Sequence, residues 1–209
     1  MSVPDGDTRE RILDAAKNVF LEHGTSGARM QDIADTAEVN KALLHYYFQN
    51  KDNLSGAVFQ RELGRLIQPV LQTLGSSLPL EEKVRTTIDL YLAKLSAFPL
   101  MPGYVLAEMH FHPDRLEALL ASVADVAPRE MGRKVFAVLG HQIDDAVTAG
   151  RMRPISPHQF LVNLVSLCVF PFAARPLLVL MTGGNDRFDA MIAERGETLA
   201  DFFLGALRP

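Results

Sequence analysis

Hydrogen-bonding and aromatic side chains crowd the end of the segment "MQDIADTAEVNKALLHYYFQNKDNL", Met30 to Leu54. Asn40, Lys41 and His45 supply donors and acceptors, Tyr46 adds a phenol, and Ala42 and Leu43 add small apolar contacts. On one short helix such a set can reach base edges, because a major groove about 12 Å wide admits a helix and presents matching donors and acceptors. Lys51 opens the next apolar segment. A cation at a helix start opposes the helix dipole, which favours a phosphate contact over idle solvation. Arg29 is a second cation of the kind that pairs with phosphate.

Other chemistries are weaker. "EMHFHPDR" gathers Glu108, His110 and His112, with His141 farther on. Residues two apart on a helix do not share a face, and no second close-spaced pair completes a metal set. Cys168 sits in "SLCVFPF" without a basic neighbour in sequence, so it reads as a small buried hydrophobe. No dinucleotide, P-loop, hydrolase or kinase signature occurs, so no catalytic residue and no cofactor is expected.

The elements that must position the Asn40–Lys51 set are helical, since apolar residues recur at helical spacing and strand-like alternation does not. Ile12, Leu13, Ala16, Val19 and Phe20 form the stripe of a first helix, with Asp7 and Glu10 as a capping box and Gly24 as its end. A second helix runs from Met30 to Ala37. Asn40 can cap a third, and Asn50 a fourth that runs toward a stop or kink at Pro69. Farther on, Pro128 opens one helix and Ser156-Pro157 another, the latter continuing to Met181. This gives an all-α chain of about nine helices, with the first three short. Residues 1–50 form a three-helix domain with a helix-turn-helix, and residues 51–209 a larger helical domain.

Bulk numbers bound the reading. At 209 residues and 48% hydrophobic content the chain can bury a real core. Its single cysteine permits no internal disulfide and fits a reducing, cytoplasmic setting. The start "MSVPDGDTRE" has neither a basic stretch nor an apolar run, so no secretory signal is read there. "FLVNLVSLCVFPFAARPLLVLM" is long enough to span a bilayer, but Arg175 and two prolines argue against lipid. The net charge is −4, and residues 1–55 hold six Lys/Arg against nine Asp/Glu. That balance opposes nucleic-acid binding, so geometry must outweigh it.

"RERILDAAKNVFLEHG" followed by Met30–Leu54 resembles the DNA-binding domain of the TetR family of transcriptional repressors, without a gap over residues 8–54. The resemblance rests on Ile12-Leu13, Ala15-Ala16, Phe20, Gly24, Asp32-Ile33-Ala34, Val39, Lys41, Tyr47-Phe48, Lys51 and Leu54. It implies that residues 1–50 are a DNA-binding domain and residues 51–209 a ligand-binding and dimerisation domain, with a homodimer joined through the last two helices, a palindromic double-stranded operator, and release by a small-molecule effector. Asn40 stands where the family usually caps with Ser or Thr, and Lys51 where it places a phosphate-contacting lysine. His45 replaces its usual tyrosine, Tyr46 stands where a histidine is frequent, and Leu43 replaces a common threonine. Glu38 occupies the turn position that the family gives to glycine, so a left-handed backbone is expected at a side chain that resists it. The effector expected is a largely apolar molecule with an acidic group if Arg175 anchors it. Its other candidate contacts are Phe98, Met101, Tyr104, Met109, Phe136, Asn163 and Phe170. The competing reading is a helical small-molecule-binding protein or enzyme that does not use its helix-turn-helix on DNA; the acidic N-terminal balance is its support.

Overall fold

The computed structural model describes residues 5–123 and 128–209, and their regular structure is entirely helical. Eleven helices lie among the described residues: α1 Asp5–Gly27, α2 Met30–Thr36, α3 Lys41–Phe48, α4 Lys51–Leu74, α5 Leu80–Ala97, α6 Met101–Phe111, α7 Pro113–Val123, α8 Pro128–Thr148, α9 Pro157–Ala173, α10 Arg175–Thr182 and α11 Asn185–Ala206. The count exceeds nine because prolines divide two stretches. Pro113 begins α7 directly after His112, and Ala174 separates α9 from an α10 that carries Pro176, with a 70° bend. The helix expected to run unbroken to Met181 is therefore two.

Further expectations shift for physical reasons. Asp7 is not a cap, since α1 is already helical at Asp5; it lies in the first turn, where a carboxylate suits the helix dipole. Gly24 (φ 67°, ψ 163°) does break α1, and a last turn follows to Gly27, so this helix is not short. Pro69 is carried inside α4. Proline in a helix interior costs about 3 kcal/mol, but Leu66, Val70 and Leu74 on the same helix are buried in the core, each worth roughly 1.5–3 kcal/mol.

The chain forms two compact units. One takes in residues to Gly64 together with Tyr104–Leu119; the other holds Arg65–Gly103 and Leu120–Pro209. This differs from the division at residue 50 read from the sequence, because the first half of α4 and the α6–α7 stretch belong to the unit of α1–α3. Its core is built from Ile12, Leu13, Ala16, Phe20, Ile33, Ala34, Leu44, Leu54, Val58 and Phe59, all buried. Arg61 of α4 ties back to α1, reaching Glu10 at 3.1 Å and Asp14 at 2.8 Å. The second unit packs α5 against α9 and α11, with α8 on α9 and α10 on α11. Phe160 and Phe203 meet edge to face at 5.1 Å in its centre, beside buried Val84, Ile88, Leu139 and Leu164. No single helix among the described residues is long and apolar enough to cross a membrane.

Candidate nucleic-acid interface

The turn between α2 and α3 sets the reading helix. Ala34 is fully buried where the two helices approach, and its carbonyl accepts from the Val39 amide at 3.0 Å. Glu38 adopts the left-handed conformation expected of it, φ 53°. An L side chain resists that backbone by roughly 1–2 kcal/mol, and the packing of α2 on α3 holds it there. Asn40 then caps α3, its side-chain oxygen accepting from the Leu43 amide at 2.7 Å. Leu44 and Phe48 bury the inner face, and Arg9 of α1 stacks over the Phe48 ring at 5.5 Å.

Burial of that face turns the other outward. Asn40, Lys41, Ala42, His45 and Tyr46 are exposed, Tyr46 by 75%. Leu43 is half-buried at the edge, and Arg29 is exposed at the start of α2, where its side chain caps nothing. Tyr47 is half-buried, edge to face with Tyr46 at 5.3 Å. His45 is tied to the end of its own helix: Nδ1 lies 2.7 Å from the Gln49 carbonyl oxygen. Lys51 is less free than the sequence suggests. Its ammonium donates to the carbonyls of Ser26 (3.1 Å) and Ala28 (3.0 Å), pinning the start of α4 to the last turn of α1 and the residue that follows it. Two of its three donors are thereby used, leaving one for a phosphate.

The acid excess is partly consumed inside this unit. Glu10 and Asp14 face Arg61, and Asp52 faces Arg115. Neither arginine falls among residues 1–55, which is why a count over that segment exaggerates the field at α3. Arg115 enters a junction that the sequence did not reveal. It bonds Glu108 and Asp52, reaches Ser55 Oγ at 3.3 Å, and Glu108 Oε1 also accepts from Ser55 (3.1 Å) and Thr25 (2.9 Å). Tyr104 completes it, donating to the Ser55 carbonyl at 3.2 Å; burial pushes its hydroxyl pKa up. Glu108 is thus committed to Arg115, His141 pairs with Asp145 at 3.0 Å, and His110 sits against Phe111. Among the described residues no three His, Cys, Asp or Glu side chains are placed to share a metal ion.

The eight candidate effector contacts are not gathered in one cavity. Tyr104 and Met109 belong to the first unit, Tyr104 stacking on Phe20 at 6.3 Å. In the second, Met101 is buried, Phe98 lies under the Lys94 ammonium at 4.9 Å, and Phe136 stacks on His158 at 4.1 Å. Asn163 lines a groove of about 590 Å³ with Leu167, Phe202 and Phe203, while Phe170 is exposed on α9. Arg175 lines a different groove of about 460 Å³ with Leu92, Phe172, Phe188 and Ile192. Sequence order could not separate these two walls.

Residues 12–58 match the family model of bacterial regulatory proteins of the tetR family. The chain is 33% identical over 89 residues to the HTH-type transcriptional activator FasR of Mycolicibacterium smegmatis, a match spanning 43% of this chain and 41% of FasR. It is 26% identical to the HTH-type transcriptional regulator RutR of Escherichia coli O157:H7 over 96% of this chain and 91% of RutR. Its fold resembles the transcriptional regulator FadR of Bacillus subtilis, solved with stearoyl-CoA, at a TM-score of 0.61 and 15% identity, covering 95% and 99% of the two chains. A capped, outward-facing α3, with the family match over it, leads to one conclusion: residues 12–58 form a DNA-binding region of the tetR family of bacterial regulatory proteins.

Proposed function

We propose that this protein is a cytoplasmic repressor that binds a palindromic operator as a homodimer and leaves it when a small, largely apolar effector is bound. Lys41, Ala42, Leu43, His45 and Tyr46 meet base edges and the adjoining backbone, while Arg29, Asn40 and Lys51 engage phosphates. The single observation that carries this is the row of exposed side chains on α3, held in place by the Asn40 cap. The effector is proposed to occupy the second unit with an anionic group toward Arg175, because aliphatic and aromatic walls there surround that guanidinium, with Asp189 the one carboxylate in the same lining among the described residues. FadR's ligand is of that chemical class, an apolar chain with an anionic head. The effector can act only through unequal affinity for the operator-bound and released arrangements.

Mobility-shift titration with the DNA flanking its own gene tests the reading. Binding should weaken steeply as salt rises, since phosphate contacts release counterions. Lys51→Ala should weaken operator and random DNA alike, whereas Lys41→Ala should change sequence preference. Equal losses at both kinds of DNA for Lys41→Ala sink the division of roles. Thermal-shift screening should find stabilisation by amphipathic carboxylates; stabilisation by hydrophilic cations alone overturns the effector assignment.

A further inference from the structure

His45 is held by a contact that decides which ring nitrogen is available. A carbonyl has no proton to give, so at 2.7 Å from the Gln49 oxygen Nδ1 must carry the hydrogen and donate it. In the neutral ring Nε2 is then a bare acceptor. The Gln49 carbonyl is aimed back at the ring by its own backbone, φ 62° and ψ −52°, while the Gln49 amide donates to the His45 carbonyl at 2.8 Å. Positive φ at a residue other than glycine persists only where its surroundings hold it, and these two bonds to one residue are such a hold. His45 is exposed, one helical turn beyond Lys41 and on the same face as Ala42.

We propose that His45 is a specificity-determining residue that accepts, through Nε2, a hydrogen bond from an exocyclic amino group: adenine N6 or cytosine N4. Those two amines are the donors in the major groove, whereas guanine O6 and N7 and thymine O4 turn lone pairs toward it. A lone pair on Nε2 therefore favours, on the strand it faces, A or C over G and T at one position of each half-site. The inference rests on the operator-binding reading above and adds the chemistry of one contact to it.

The experiment selects duplexes from a random pool with the dimer, using wild type and His45→Ala in parallel. One base pair of the half-site should lose its preference in His45→Ala, and its single major-groove amine lies on its adenine or its cytosine. Replacing that adenine by purine, or that cytosine by 2-pyrimidinone, removes only the amine. It should weaken wild-type binding roughly three- to tenfold and leave His45→Ala unchanged. The base-analogue arm uses wild-type protein, so it stands even if the variant folds poorly. Two results overturn the inference while leaving operator binding intact: no position altered by the substitution, or wild-type binding indifferent to amine removal at that pair. Failure of wild type to select any sequence over random DNA at low salt overturns the operator-binding reading and this inference together.

Discussion

At the scale of single residues, chemistry was readable where it depends on near neighbours and hidden where it does not. The caps at Asn40, Asn50 and Ser156 all form, because a cap joins a side chain to an amide three residues on. The Lys51 bonds to Ser26 and Ala28 cross a turn of the fold and left no local signal. Cys168 is fully buried, and burial pushes its thiol up to about 12, with Arg195 acting the other way. The thiolate is the reactive form, so native protein should resist an aromatic disulfide reagent at about pH 8, with labelling appearing only on unfolding; rapid labelling of folded protein contradicts this. Tyr91 is likewise pushed up to about 12 by burial and then by Cys168. Both folded values are raised, so the stability they contribute is whole below the ordinary thiol and phenol ranges and is lost as pH climbs toward about 12. Lys83, whose pKa burial lowers, acts in the opposite sense below the ordinary lysine value. The measurement is melting temperature against alkaline pH, in which Cys168→Ala should flatten the earliest part of the fall.

At the scale of elements, helical periodicity placed the stripes but not the joints. The junction of Glu108, Arg115, Ser55 and Tyr104 binds α6 and α7 to the ends of α1 and α4, and its members lie far apart in sequence. Gly56 gives Arg115 room, since a Cβ there meets its Nε at 3.4 Å. Removing one partner of a buried ion pair strands the other charge, so Glu108→Leu should cost about 3–5 kcal/mol in urea unfolding. Glu108→Leu with Arg115→Met should recover most of it, because a buried pair contributes little beyond an apolar replacement of similar volume. A double variant no more stable than the single one contradicts that account. The same junction commits the Glu108 carboxylate of "EMHFHPDR" to a cation and two hydroxyls.

At the scale of the whole molecule, the last helices leave apolar surface without cover in one chain. Val162 and Phe170 on α9, Leu177, Leu180 and Met181 on α10, and Phe202 on α11 are all exposed. The stretch from Ser156 to Met181 is rich in apolar residues, yet within the chain α10 buries no residue at all. A two-fold mate on α9 and α11 supplies the missing burial in the proposed dimer. Phe202→Asp should therefore yield monomers in sedimentation analysis and lower operator affinity by roughly 100-fold, the avidity of two linked reading heads. A variant that remains dimeric moves the interface elsewhere.

The sequence by itself determined the helical class and the capped reading helix, because spacing and capping chemistry act within a few residues, and its family resemblance placed the left-handed turn at Glu38. Only the tertiary structure decided where charges and cavities meet. It sent Arg61 and Arg115 to neutralise acids of the reading head, gave Lys51 two carbonyls, and put Asn163 and Arg175 on separate grooves. Those outcomes depend on which helix faces pack together, and packing brings together residues whose separation along the chain carries no information about their distance in space.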